Sequence, residues 1–308
     1  MTSLFHYEAI DFILGLAFGS FLNVCISRVP KGESIVRPGS RCPRCKTPIR
    51  WYDNIPLLSW LALRGRCRDC KQPIPLRYPL IELATGIWFA AVTHLTLSAF
   101  DIPLSMEQHS QLILAGISLA ILGFLLIGLM VMDWQTLTLP DAFTLTGIAT
   151  ALFLVCTQAI FLGPTEDQVL LTKHSLHLTS PGGVTDHGNV FLTGPESLIF
   201  GRIAAICGAA LILLIIRWLY KALRHREGMG LGDVKLLAMI AAFLGFWPAS
   251  LALFLGVLIA STYGILLLAQ RKAGAASKLA FGSFLAVGGL ISALFGNRLI
   301  NTYIGLLR

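Results

Sequence analysis

The sequence predicts an all-α polytopic membrane protein of about eight transmembrane helices, with one small cysteine-bearing insert after the first. Three observations carry this. Hydrophobic residues make up 55% of the chain, charged residues 13%, and the mean hydropathy is +0.74, which is incompatible with the polar surface of a soluble globule of this length. Apolar runs recur at lengths near the ~20 residues that a spanning helix needs. Lys and Arg are shared very unevenly among the connections between those runs.

The first run, 9 to 27, has no Lys or Arg before Arg28. A cleaved signal peptide carries its charge in front of the apolar stretch, so this run is an anchor with its N-terminus outside. Runs at 79 to 99 and 110 to 132 follow, the latter ending at Asp133. The fourth, 141 to 162, starts just after Leu139-Pro140. The others are 198 to 219, a short 234 to 247, 249 to 269 and 279 to 296. Threading eight helices puts the basic clusters on alternate connections: twelve residues from Arg28 to Arg77, five from Arg217 to Lys235 and three from Arg271 to Lys278. Of the 24, only Lys173, Arg202, Arg298 and Arg308 fall elsewhere. The positive-inside rule makes these three basic connections cytoplasmic. The net charge of +8 is thus a topogenic signal and a surface for the lipid bilayer, not for nucleic acid. Residues 1-27 read as the first helix, 28-77 as a cytoplasmic domain, and 78-308 as the helical core with an external insert at 163-197. That insert carries His174, His177 and His187, whose irregular spacing in a polar loop reads as solvated histidine.

Four of the seven cysteines lie in the cytoplasmic insert as two CxxC knuckles, Cys42-Pro-Arg-Cys45 and Cys67-Arg-Asp-Cys70. Two such pairs supply the four thiolates of a tetrahedral structural zinc site. Disulfides are disfavoured in a reducing compartment, and the neighbouring Arg41, Arg44, Arg66, Arg68 and Lys71 favour the thiolate form. This is a zinc-binding insert too small to bury a core of its own. Cys25, Cys156 and Cys207 lie in apolar runs as small core residues.

Asp133 and Asp233 stand at the ends of membrane-length apolar runs. A carboxylate there is costly unless paired, protonated or facing water, and both aspartates fall at the same end of the bundle. Two adjacent carboxylates cannot both ionise, and the resulting split is what hydrolysis of a peptide bond requires: a charged base for water and a protonated acid for the carbonyl. The lead-in Gly228-Met-Gly230-Leu-Gly232 would let an extended backbone approach Asp233. The bland alternative for Asp233 is a helix N-cap. Asp141, at a helix start after Pro140, takes a capping, dipole or supporting role, and Lys235 belongs to the same supporting set.

Several motifs together resemble the type IV prepilin peptidase family of bacterial inner-membrane aspartic peptidases. They are Gly19-Ser-Phe-Leu-Asn-Val24 with Arg28-Val-Pro30, the two knuckles, Asn54-Ile-Pro-Leu57, Arg77-Tyr-Pro-Leu-Ile-Glu-Leu83, Asp133 with Leu139-Pro-Asp141, and Glu227-Gly-Met-Gly-Leu-Gly-Asp-Val-Lys-Leu-Leu-Ala238. The resemblance implies that Asp133 and Asp233 are catalytic and that Cys42, Cys45, Cys67 and Cys70 bind metal. It implies cleavage of prepilin or pseudopilin leaders at the cytoplasmic membrane face, then N-methylation of the new terminus with S-adenosylmethionine. No strand-loop-helix nucleotide fingerprint marks the methyl donor's site; Glu82 stands either as a packing carboxylate or in methylation. The chain departs from the family in having Thr136 where a His is common, and in the 163-197 insert.

Two other classes remain open from the residues. A zinc-sensing transporter would use the acids as a cation pathway, and would want them at mid-membrane depth. A non-catalytic secretion assembly factor would tolerate replacement of both aspartates.

Overall fold

A computed structural model describes residues 2–98, 106–162, 195–224, 230–270 and 279–306. The expected insert lies, up to residue 194, outside the described residues, with its three histidines. The helices are α1 (Thr2–Arg28), a short α2 (Leu58–Ala62), α3 (Arg77–Ser98), α4 (Met106–Thr136), α5 (Asp141–Thr157), α6 (Pro195–Arg224), α7 (Leu231–Leu244), α8 (Phe246–Ala269) and α9 (Phe281–Leu306). A π-helical turn, Gln158–Leu162, continues α5. Among the described residues there is no β-sheet, only two isolated bridges in the cysteine module.

Among the described residues seven helices are long and apolar enough to cross a membrane: α1, α3, α4, α5, α6, α8 and α9. The chain is therefore a multi-pass membrane protein. The expected sixth span is instead the 14-residue α7, about 21 Å long at 1.5 Å per residue and short of a ~30 Å hydrocarbon core. Its shortness follows from its position. Ten residues between Asp233 and Phe243 are buried, because α4, α5, α6, α8 and α9 all pack against it. Lipid does not set the length of a helix enclosed by others. Gly245, at φ 89°, ends it and turns the chain into α8.

Small residues let the outer helices close up. A methyl at Gly19 would fall 2.6 Å from the Glu82 Cα, and one at Gly15 would fall 2.7 Å from the Thr85 carbonyl oxygen, so the backbones of α1 and α3 are nearly in contact. Trp88 lies across Gly123 and donates its indole N–H to the Leu119 carbonyl at 2.9 Å, which joins α3 to α4 and satisfies a polar group that burial would otherwise make costly.

The cysteine module is built twice on one plan. Cys42 donates its N–H to the Thr47 carbonyl and accepts from Lys46, both at 3.0 Å, while Cys67 donates to Gln72 at 2.8 Å and accepts from Lys71 at 3.1 Å. Lys46 and Lys71 occupy the matching left-handed positions at φ 62° and 56°. Arg41 bridges to Pro48 and Arg66 to Pro73.

Candidate active site

Each aspartate is positioned by a helix end. Asp133 sits in the last turn of α4, and its carbonyl accepts the Leu137 N–H at 2.8 Å as the chain leaves the helix. Asp233 lies in the first turn of α7, but Gly230 is the N-cap and no side chain caps the helix. The N-cap alternative for Asp233 is therefore set aside: its carboxylate reaches back to the Gly230 backbone N–H from the third helical position. Helix α7 carries it to Asp133 under the cover of the bundle, with 5% of Asp133 and 8% of Asp233 exposed.

The start of α9 brings the two acids together. A methyl placed on Gly282 would stand 3.1 Å from Asp133 Oδ2 and 3.1 Å from Asp233 Oδ1. Both carboxylates thus approach one point beside Gly282, which the Leu139 side chain also borders at 2.8 Å. The neighbouring Ser283 donates its backbone N–H to Asp133 Oδ2 at 2.7 Å and places its hydroxyl 3.0 Å from the same oxygen and 2.9 Å from the Met130 carbonyl. Neither Gly282 nor Ser283 was singled out in the sequence. The only signal there is a pair of small residues, Phe281-Gly282-Ser283, opening the last helix, and nothing local says that they meet residues 150 positions away.

The supporting residues divide. Asp141 Oδ1 accepts from Lys235 Nζ at 2.6 Å, with both side chains more than a third exposed, so the two tie α5 to α7 at the rim of the site. Pro140 is the N-cap of α5, and Asp141 acts there as a first-turn acid without a cap bond. A Cβ on Gly232 would meet Leu139 at 3.0 Å; this glycine admits the α4–α5 connection instead of leaving room for substrate. Gly230 lies beside the Asp233 carboxylate, where an added Cβ would stand 3.7 Å from Oδ2. Trp134 packs edge-on against Tyr263 and Phe284, at 5.8 and 6.2 Å between centroids, forming an aromatic group next to both Asp133 and Ser283. Glu82 is not at this site: it accepts the Leu57 N–H at 2.9 Å beneath the cysteine module.

The sulfurs of Cys42, Cys45, Cys67 and Cys70 all lie within 4.8 Å of one another, and those of Cys42 and Cys70 are 3.8 Å apart. A tetrahedron with Zn–S bonds of ~2.3 Å has an edge of about 3.8 Å, so the set fits zinc. Side-chain and backbone hydrogen bonds from Thr47 hold the Cys45 thiol down to about 6, and backbone N–H groups near Cys70 and Asp69 lower Cys67. Against a lowering backbone bond at Gln72, burial and the other sulfurs raise Cys70 to about 11. Asp53 is bound by Arg68 in a two-pronged ion pair at 2.6 and 2.7 Å, which holds its carboxyl below the usual range. Its charge is already matched.

Residues 13–96 match the Bacterial Peptidase A24 N-terminal domain, and residues 188–265 match the Type IV leader peptidase family. Asp233 lies in the second segment and Asp133 between the two. The chain is 31% identical to the prepilin leader peptidase/N-methyltransferase of Pseudomonas aeruginosa, over 95% of this chain and 91% of that one. It is 30% identical to that of Aeromonas hydrophila, over 97% and 94%. The protein of the same name from Myxococcus xanthus is 38% identical over 85% of this chain and 64% of its own. No solved structure gives a significant match.

Proposed function

The chain belongs to the type IV leader peptidase family, and from that premise we propose that Asp133 and Asp233 are the acid–base pair with which it cleaves prepilin leaders. It is a membrane peptidase that also methylates the N-terminus it exposes. The observation that carries the catalytic reading is the approach of both carboxylates to the unsubstituted space over Gly282.

A water held there loses a proton to the ionised member, and its oxygen bonds to the scissile carbonyl carbon as the π electrons move to oxygen. The protonated member supports that oxygen with a hydrogen bond. Collapse of the tetrahedral species breaks the C–N bond, and the proton goes to the departing amine. Ser283 distinguishes the two acids. The two donors on Asp133 Oδ2 suit it to the role of base, and Asp233, its carboxyl pushed up by burial and by the neighbouring Asp133, suits the role of the member that shares the proton. After water is split, Asp133 is the acid. The Ser283 hydroxyl then turns to the Met130 carbonyl and accepts the new O–H, so Asp133 changes protonation without moving.

The substrate joins a basic leader to an apolar segment, the latter among the helices and the scissile bond at the end of the bundle. With the basic clusters inside, the cysteine module and the aspartates face the cytoplasm of a bacterial inner membrane. Residues 1-27 then anchor the chain, 28-77 form the metal module, and 78-308 carry the peptidase. Zinc held by Cys42, Cys45, Cys67 and Cys70 supplies folding energy to the module, and S-adenosylmethionine supplies the methyl group. The test is incubation of the purified protein with a prepilin and readout of the new N-terminus by mass; an uncut substrate would reject the reading.

A further inference from the structure

A cavity of about 720 Å³ separates the cysteine module from the cytoplasm-facing ends of α1 and α3, within the ~300–1,000 Å³ range of small-molecule sites. One of its lining residues is unusual. Glu82 is 9% exposed; its carboxylate accepts the Leu57 N–H at 2.9 Å and a hydrogen bond from Ser20. Among the described residues no Lys or Arg forms a salt bridge with it. A carboxylate has about four acceptor positions, so two remain, and a buried anion without a counter-ion is costly. The rest of the lining is mostly basic, with Arg28, Arg37, Arg41 and Arg44 among eight Lys and Arg against the acids Glu33, Asp53 and Asp69.

A cavity with an uncompensated carboxylate on one helix and a mostly basic remaining lining is complementary to a ligand that carries both a cationic centre and a carboxylate. The geometry points to this cavity as the site of the methyl donor, S-adenosylmethionine, with its cationic sulfonium region toward Glu82 and its carboxylate toward the basic lining. The inference rests on the reading of the chain as an N-methyltransferase. It also fits the order of the two reactions. Arg77, five residues before Glu82, donates to Gln135 at 2.6 Å, and Gln135 lies two residues after Asp133. The amine released at the aspartates therefore emerges at the same end of the bundle as the cavity.

The test is equilibrium binding of radiolabelled S-adenosylmethionine and S-adenosylhomocysteine, which lacks the sulfonium charge, to the full-length protein in detergent. Glu82→Gln keeps an acceptor for the Leu57 N–H but removes the charge. It should weaken S-adenosylmethionine at least tenfold and S-adenosylhomocysteine less than threefold. Ser27→Phe, which fills the cavity from α1, should weaken both at least tenfold. Zinc content and elution volume verify that each variant is folded. Wild-type affinity in both variants would place the donor elsewhere and overturn the proposal while leaving methyl transfer intact. Equal losses of both ligands in Glu82→Gln would overturn the pairing of Glu82 with the sulfonium. A zinc-loaded wild-type protein that bound neither ligand would instead defeat the methyltransferase reading itself.

Discussion

Ser283 holds Asp133 with two groups at once, its backbone N–H at 2.7 Å and its hydroxyl at 3.0 Å from the same oxygen. The first turn of α9 thereby sets the position of a carboxylate at the last turn of α4. Ser283→Ala keeps the N–H and loses the hydroxyl. Hydrogen bonds to charged groups contribute ~1.5–3 kcal/mol, so kcat for leader cleavage should fall about tenfold or more with KM little changed. Ser283→Thr should recover most of the loss. Equal loss in Ala and Thr variants would point to packing instead.

Gly282 leaves open the space the two acids share. In Gly282→Ala the new methyl would stand 3.1 Å from an oxygen of each aspartate and 2.8 Å from Leu139, occupying the position assigned to water. Cleavage should drop by about 100-fold or more, since small displacements of reacting groups cost on that order. Zinc content should be unchanged. Measured turnover near the wild-type rate would mean that water binds elsewhere.

The Asp141–Lys235 pair is a different case. With the side chains 58% and 36% exposed, solvent screens the pair, and exposed ion pairs contribute ~0–1 kcal/mol. Asp141→Asn should lower cleavage no more than about fivefold under the same bound, as read from initial rates on one prepilin. A loss as deep as that of the Asp133 variant would make Asp141 a member of the catalytic set.

Metal analysis should return about one zinc per chain, falling sharply in Cys42→Ser. Thiolates bind the metal only after losing their protons. Apparent affinity should therefore decline as pH is lowered from the Cys70 value of about 11, and more steeply below about 6, where Cys45 also holds a proton. A titration of zinc retention against pH with a competing chelator measures this. Metal-free native protein with paired disulfides would exclude the site.

The membrane class and the cysteine cluster were legible because each depends on local pattern, apolar length and CxxC spacing, whereas the expected count of eight spans was one too many among the described residues. The two aspartates were legible for a similar reason, since a charge at the end of an apolar run needs an explanation wherever it occurs. Their convergence was not local. It depends on α7 being enclosed by five neighbours, which also makes it too short for a lipid-facing span, and no hydropathy window distinguishes a buried helix from a membrane-crossing one. Ser283 and Gly282 carry no charge and no motif. Only the packing of α9 against α4 gives them meaning. For Gly232 the local reading pointed the wrong way, because its missing side chain serves Leu139 and not the substrate.

The central claim is that Asp133 and Asp233 act as a unit. An acid–base pair loses its function when either carboxylate is removed. The most direct measurement is leader cleavage by Asp133→Asn and Asp233→Asn in parallel, alongside methyl transfer to an already cleaved pilin. The account predicts that each variant loses cleavage and that Asp133→Asn still methylates. Normal cleavage by either variant would contradict it.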